Sequence, residues 1–213
     1  MNYELQIPND RKIIGVAGPM AAGKNGATEF FVQKGFIEID VDKMGHIALE
    51  LQKEIIAKAF CEDEKKYNVK ILNDDGSMNR RNLAKIVFAT KKNLRKHESI
   101  MHPKMNELIE QKIAKSPNAN YVINAAILHK FSIIKQCKPI FYITANPFIR
   151  YKRAKLRNNI PFKQFFKTFL SQIEIYPKCK SLNADIYTVD NSNKQEELEK
   201  RLTSLYFSCI DKG

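Results

Sequence analysis

The sequence predicts an α/β fold, a parallel five-stranded sheet in three α/β/α layers with an inserted helical subdomain and a helical lid. Three observations predict it. Five short apolar runs alternate with longer amphipathic stretches, the pattern of parallel strands covered on both faces. One interval between runs is much longer than a crossover needs. The first run passes directly into a glycine-rich turn and a helical stretch.

The strand candidates, in order, are Lys12 to Ala17, Phe36 to Asp40, Tyr121 to Ala125, Pro139 to Thr144 and Asp185 to Asp190. Each is short, rich in β-branched or aromatic residues, and bounded by polar or turn residues. Helices are expected over Lys24 to Lys34, Lys43 to Ala59, Arg80 to Ala89, His102 to Ala114, Pro147 to Arg157 and Lys194 to Phe207, where apolar positions are spaced along charged faces. The basic helix from Pro147 runs into Asn158-Asn159-Ile160-Pro161, a helix end followed by a turn into another helix. At about 150 residues per domain, 213 residues suggest a single domain, 1–213. Its expected parts are a core (1–48, 106–150 and 181–213), a helical insertion (49–105) and a lid (151–180).

The charge narrows the partner class. There are 36 Lys and Arg against 23 Asp and Glu, a net +13, which favours an anionic partner. Lys makes up most of this excess, together with abundant Asn and Ile, as AT-rich coding would produce, so charge alone names no ligand. The four cysteines are far apart, with no CxxC pair, and no two histidines are spaced for a metal. Reduced structural cysteines are expected rather than zinc or disulfides. No apolar leader opens the sequence and no run approaches the roughly 18 apolar residues of a membrane span, so a cytoplasmic protein is expected.

The chemistry begins at Gly18-Pro19-Met20-Ala21-Ala22-Gly23-Lys24-Asn25. Seven of its eight positions satisfy G-x-x-x-x-G-K-[ST]. Converging backbone N–H groups hold phosphate oxygens, glycines keep the approach open, and the following helix points its positive end at the anion. Lys24 would reach the β- and γ-phosphates. The eighth position, normally a Ser or Thr hydroxyl on Mg²⁺, is Asn25, whose amide oxygen can still ligate a hard cation. The expected fold is therefore that of a P-loop NTPase.

Asp40 and Asp42 close the second strand, at the sheet edge where α/β ligands sit. An extended backbone would point both the same way. One could then orient water or metal while the other accepts a proton from an attacking hydroxyl.

With these motifs in place the sequence resembles the dephospho-coenzyme A kinase family over roughly Ile13 to Leu202. The family's P-loop opening is similar to IGVAGPMAAGKNGA, and its D-A-D strand end to IDVDKMGH. Its D-G-x-L-D-R-x-x-L-x-x-x-V-F segment is similar to DGSMNRRNLAKIVF at Asp75 to Phe88, its I-x-H-P to Ile100 through Pro103, and its lid R-x-x-x-R to Arg153 and Arg157. A downstream glutamine falls on Gln172, and the closing I-D-N-S resembles Val189 to Ser192.

The resemblance implies transfer of the ATP γ-phosphoryl to the ribose 3′-hydroxyl of dephospho-coenzyme A, with ATP and Mg²⁺ required. It implies catalytic roles for Lys24, Asp42 (the general base), Arg153 and Arg157. Nucleotide contacts fall to Gly18, Met20, Ala21, Ala22, Gly23, Lys24, Asn25, Gly26, Arg157 and Asn191, and metal to Asn25. Substrate contacts fall to Asp42, Arg80, His102 and Gln172. His102 could equally serve a turn made by Pro103, and Arg80 could pair with a neighbouring acid.

Four positions depart from the family, with asparagine at 25, 79, 124 and 158 where Ser/Thr or Asp is usual. An impaired ATP-binding pseudokinase, or a P-loop kinase for another nucleoside or nucleotide, are the alternatives. Seven cations interleave with aromatics between Arg150 and Phe169, a pattern that also suits single-stranded nucleic acid. Helix core and nucleotide-facing charge are the favoured reading there. The small-molecule substrate is the expected partner, membrane is not, and the oligomeric state is left open.

Overall fold

The first strand pairs with the third and fourth strands of the chain and not with the second. The computed structural model describes residues 11–183 and 185–210. The first ten residues, on which the expectation about a leader falls, lie outside the described residues. In chain order the elements are β1 (Ile13–Ala17), α1 (Lys24–Gln33), β2 (Ile37–Asp40), α2 (Val41–Leu51), α3 (Lys53–Tyr67), α4 (Arg80–Val87), α5 (Lys91–Ala114), β3 (Tyr121–Asn124), β4 (Ile140–Thr144), α6 (Pro147–Asn158), α7 (Phe162–Gln172), α8 (Ile175–Leu182), β5 (Ile186–Asp190) and α9 (Gln195–Cys209). Two short 3₁₀ turns, Leu128–Lys130 and Ser132–Lys135, lie between β3 and β4. The chain divides into two compact units: one runs up to Asp40 and from Lys112 onward, the other is Val41–Gln111.

The first unit holds a parallel sheet in the order β2-β3-β1-β4-β5. β1 is buried at all five positions, as a central strand covered on both faces must be. On one face α1 and α9 close a core of Ile14, Val16, Phe31, Val122, Phe141, Ile143 and Leu202. Phe31 is its pivot, with ring centroids 4.8 Å from Phe141 and 5.2 Å from Phe30. On the other face Leu128 and Cys137 press on β1 so closely that a Cβ on Gly15 would stand 2.8 Å from Leu128 Cδ2. α8 joins this layer, burying Cys179 and setting Tyr176 edge-on to Tyr142 at 5.0 Å. Strand order reverses at β1, which opens the crevice at its carboxyl end.

The second unit is helical. Phe60, Ile56, Ile71, Leu83, Ile86 and Ile109 are buried in it. Buried Asn93 donates to Asp63 Oδ1 and Ile86 O, both at 3.0 Å, and so ties α5 to α3 and α4. Lys96 donates to Ala59 O and lies 4.6 Å over the Phe60 ring. A turn at Asp75-Gly76-Ser77 brings Leu72 and Met78 into an antiparallel bridge, and Asn79 then caps α4 by accepting from Asn82 N at 3.0 Å.

The structure corrects several expected boundaries. The helix read as Lys43 to Ala59 is two, α2 and α3, parted at Gln52. α5 begins eleven residues before His102, because Thr90 Oγ1 accepts from Asn93 N and caps it. Pro103 sits inside that helix, so His102 is at no turn; proline removes one N–H but the surrounding turns continue. The helical unit runs over Val41–Gln111, wider at both ends than 49–105. Among the described residues no helix is long and apolar enough to cross a membrane.

Candidate active site

The loop between β1 and α1 is shaped by residues that can take unusual backbone angles. Gly18 has φ 148° and approaches β4 so closely that a Cβ would stand 2.2 Å from Ile143 O. Gly23 has φ 100°, and Ala21, without glycine's freedom, is held at φ 60°. A non-glycine residue there is costly and persists where the surroundings enforce it. No side chain caps the amino end of α1, and no acid occupies its first turn. Its amide groups and dipole are therefore suited to an anion. Lys24 Nζ reaches back to Gly18 O at 3.1 Å, spanning the loop. Asn25 is exposed on the first turn.

Three distant segments brace this loop. Asn191, buried after β5, donates Nδ2 to Ala22 O at 2.8 Å, and its own N–H donates to Thr144 O at 2.7 Å. Its neighbours complete the motif: Ser192 Oγ accepts from Asn146 N at 2.8 Å and donates to Asp190 at 2.6 Å. Arg201 pairs with Asp190 Oδ2 at 3.2 Å. The Ser192 hydroxyl first, and then Arg201, hold the Asp190 carboxyl below its ordinary pKa. Gln172 Oε1, on the last turn of α7, accepts from Met20 N at 2.9 Å. Arg150, on α6, donates Nε to Met20 O at 2.9 Å.

Arg153 lies one turn along α6 from Arg150. Its Nη1 is buried without a hydrogen-bond partner, 4.0 Å from where a Cβ on Gly23 would stand. A buried guanidinium nitrogen left unpaired at the rim of an anion-shaped loop fits a phosphoryl oxygen. Arg157, four residues further, is exposed at the end of α6.

The carboxylates need a correction. β2 ends at Asp40 and α2 begins at Val41, so Asp40 and Asp42 do not share an extended backbone. Asp40 lies in register with Asn124 of β3 at the sheet's carboxyl edge. Asp42 is exposed in the first turn of α2. Asn124, where the sequence lacks the family acid, is buried and donates Nδ2 to Glu38 Oε1 at 3.1 Å. Asn79, another such position, is the α4 cap, a role asparagine and aspartate fill equally.

The first unit thus brings together Gly18 through Gly26, Arg153, Gln172 and Asn191. Asp42, Arg80 and His102 belong to the helical unit: Arg80 is exposed at the start of α4, and His102 is half-buried in α5. Sequence reasoning missed Arg150. It shares the inner stripe of α6 with Ala154, the other buried residue of that helix at i+4 spacing, and that periodicity was the signal available.

A family model described as dephospho-CoA kinase matches residues 12–197. A dephospho-CoA kinase of Treponema denticola is 32% identical over 93% of this chain and 90% of its own length. One from Borrelia garinii is also 32% identical, over 89% of this chain and 90% of its own. Among solved structures, one from Thermus thermophilus superposes with a TM-score of 0.76 at 20% identity, covering 94% of this chain and 98% of that one. A dephospho-CoA kinase from Campylobacter jejuni gives 0.61 at 21% identity, covering 93% and 97%.

Proposed function

This chain belongs to the dephospho-CoA kinase family and is an ATP-dependent kinase, and on that premise we propose that it phosphorylates the ribose 3′-hydroxyl of dephospho-coenzyme A, giving coenzyme A and ADP. The observation that carries the reading is the braced Gly18–Gly26 loop with the unpaired Arg153 Nη1 beside it. The loop amides and Lys24 hold the ATP phosphates. Asp42 accepts the proton of the 3′-hydroxyl as the new O–P bond forms and the bond to the β-phosphate bridging oxygen breaks. Arg153 donates to the transferring phosphoryl, and Arg157 joins it from the next turn of α6.

Mg²⁺ suits the donor set. Asn25 offers an amide oxygen on the first turn of α1, and Mg²⁺ takes few protein ligands beside phosphates and water. When bound it neutralises charge on the β- and γ-oxygens. The Val41–Gln111 unit takes the pantetheine-bearing substrate, with Arg80 and His102 as polar contacts. Residues 151–180 act as a lid that excludes water. The reading takes the enzyme as cytoplasmic. The test is formation of coenzyme A from ATP, Mg²⁺ and dephospho-coenzyme A by the purified chain. Absence of product with every divalent metal tried, alongside ADP release with another nucleoside or nucleotide, overturns it.

A further inference from the structure

Arg150 has a burial that the reading above does not use. It is only 5% exposed, yet among the described residues no carboxylate pairs with it. Its guanidinium instead rests on ring faces of α7, 5.3 Å from the Phe169 centroid and 5.8 Å from that of Phe165. Its hydrogens go to Met20 O (2.9 Å from Nε) and Gln172 Oε1 (3.5 Å from Nη2). That Gln172 oxygen also accepts from Met20 N at 2.9 Å. The Met20 residue is therefore gripped at both its backbone groups by two side chains that also hold each other. Burial pushes the Arg150 pKa down, with Tyr142 opposing; an arginine keeps its charge through such a shift.

We propose that Arg150 and Gln172 form one positioning device, which sets the shape of the phosphate loop, and hence nucleotide affinity, according to where α7 sits. The neighbouring residue is Ala21, whose left-handed backbone needs its surroundings to hold it. The rings of α7 fix the guanidinium, the guanidinium fixes the Met20 carbonyl, and Gln172 fixes the Met20 amide. A shift of α7 carries the Gln172 grip with it and withdraws the rings on which the guanidinium of Arg150, itself on α6, is seated, so both grips answer to the position of that one helix. The inference rests on the loop being the nucleotide site, and it is independent of which acceptor is phosphorylated.

The experiment is ADP binding to the full chain by titration calorimetry, with thermal unfolding followed without nucleotide. Gln172→Met and Arg150→Met should each weaken ADP by about tenfold, the scale of a hydrogen bond to a charged or buried group. Gln172→Met should leave the unfolding midpoint close to the parent's. Arg150→Lys should recover part of the affinity, since an ammonium can reach Met20 O but lacks the planar fork. The double variant should bind about as weakly as the weaker single, because both act on one backbone unit. Parent-like ADP affinity in Gln172→Met overturns the device, and so do losses that multiply in the double variant. If Arg150→Met does not fold, Gln172→Met decides alone. A parent chain that does not bind ADP overturns the nucleotide reading itself, and the device with it.

Discussion

Asn191 lies directly across Gly23: a Cβ built on the glycine would stand 1.9 Å from Asn191 Nδ2, the same nitrogen that donates to Ala22 O. The glycine is thus required twice, for φ 100° and for the space the asparagine fills. Gly23→Ala should lower ATP affinity by at least about tenfold, from left-handed strain of roughly 1–2 kcal/mol plus displacement of Asn191. Adding Asn191→Ala should relieve the collision but not the strain, so the double variant should bind better than Gly23→Ala alone. Nucleotide titration of the three proteins checks this order.

Lys24 spans the loop to Gly18 O and Asp42 lies in the first turn of α2, so their losses should differ in kind. Lys24→Met should reduce kcat about 10²-fold or more and also weaken ATP. Asp42→Asn should lower kcat by about 10²–10⁴-fold with ATP affinity kept, as removal of a general base does. An unchanged rate in Asp42→Asn would show that another group takes the proton.

Asn79 caps α4 through Asn82 N and also donates to Asn73 Oδ1 at 2.9 Å. Asn79→Ala should cost about 1 kcal/mol of stability through loss of the cap, whereas Asn79→Asp keeps the cap and loses only the donation to Asn73 Oδ1, so it should cost less. Chemical denaturation of both variants checks the difference.

Asp190 yields a pH effect with a definite sign. Its pKa is depressed in the folded state, mainly by Ser192 and then by Arg201. Below an unfolded value of about 3.9 the unfolded chain binds the proton first, so the stabilisation fades as pH falls through the lower folded value. The pair is well exposed, 39% for Arg201 and 44% for Asp190, so the effect should stay well under about 1 kcal/mol. Asp190→Asn should flatten the acid limb of a stability profile below about pH 4 and leave neutral pH nearly unchanged.

The sheet was legible because buried parallel strands are written as short apolar runs: all five candidates lie within a residue or so of the strands found. The loop was legible because its glycines and lysine are fixed by local geometry. The start of α5 was misplaced because Pro103 reads as a helix beginning, although the cap at Thr90 was there to be seen. Arg150 was hidden for a different reason. In sequence it is one more cation in a basic helix, and only the packing of Phe165 and Phe169 on it separates a buried clamp from a solvated charge. Asp42 was assigned a strand geometry because nothing in Ile39-Asp40-Val41-Asp42 announces that the helix begins so abruptly.

The Gly18–Gly26 loop and its braces are far apart along the chain: Gln172 reaches Met20 across 152 residues and Asn191 reaches Ala22 across 169. Contacts of such long range form late and slowly in folding. During synthesis, therefore, the ribosome delivers the loop residues long before the residues that support them. Truncated chains that stop short of Asn191 would carry the glycine-rich loop sequence without the scaffold that gives it its form.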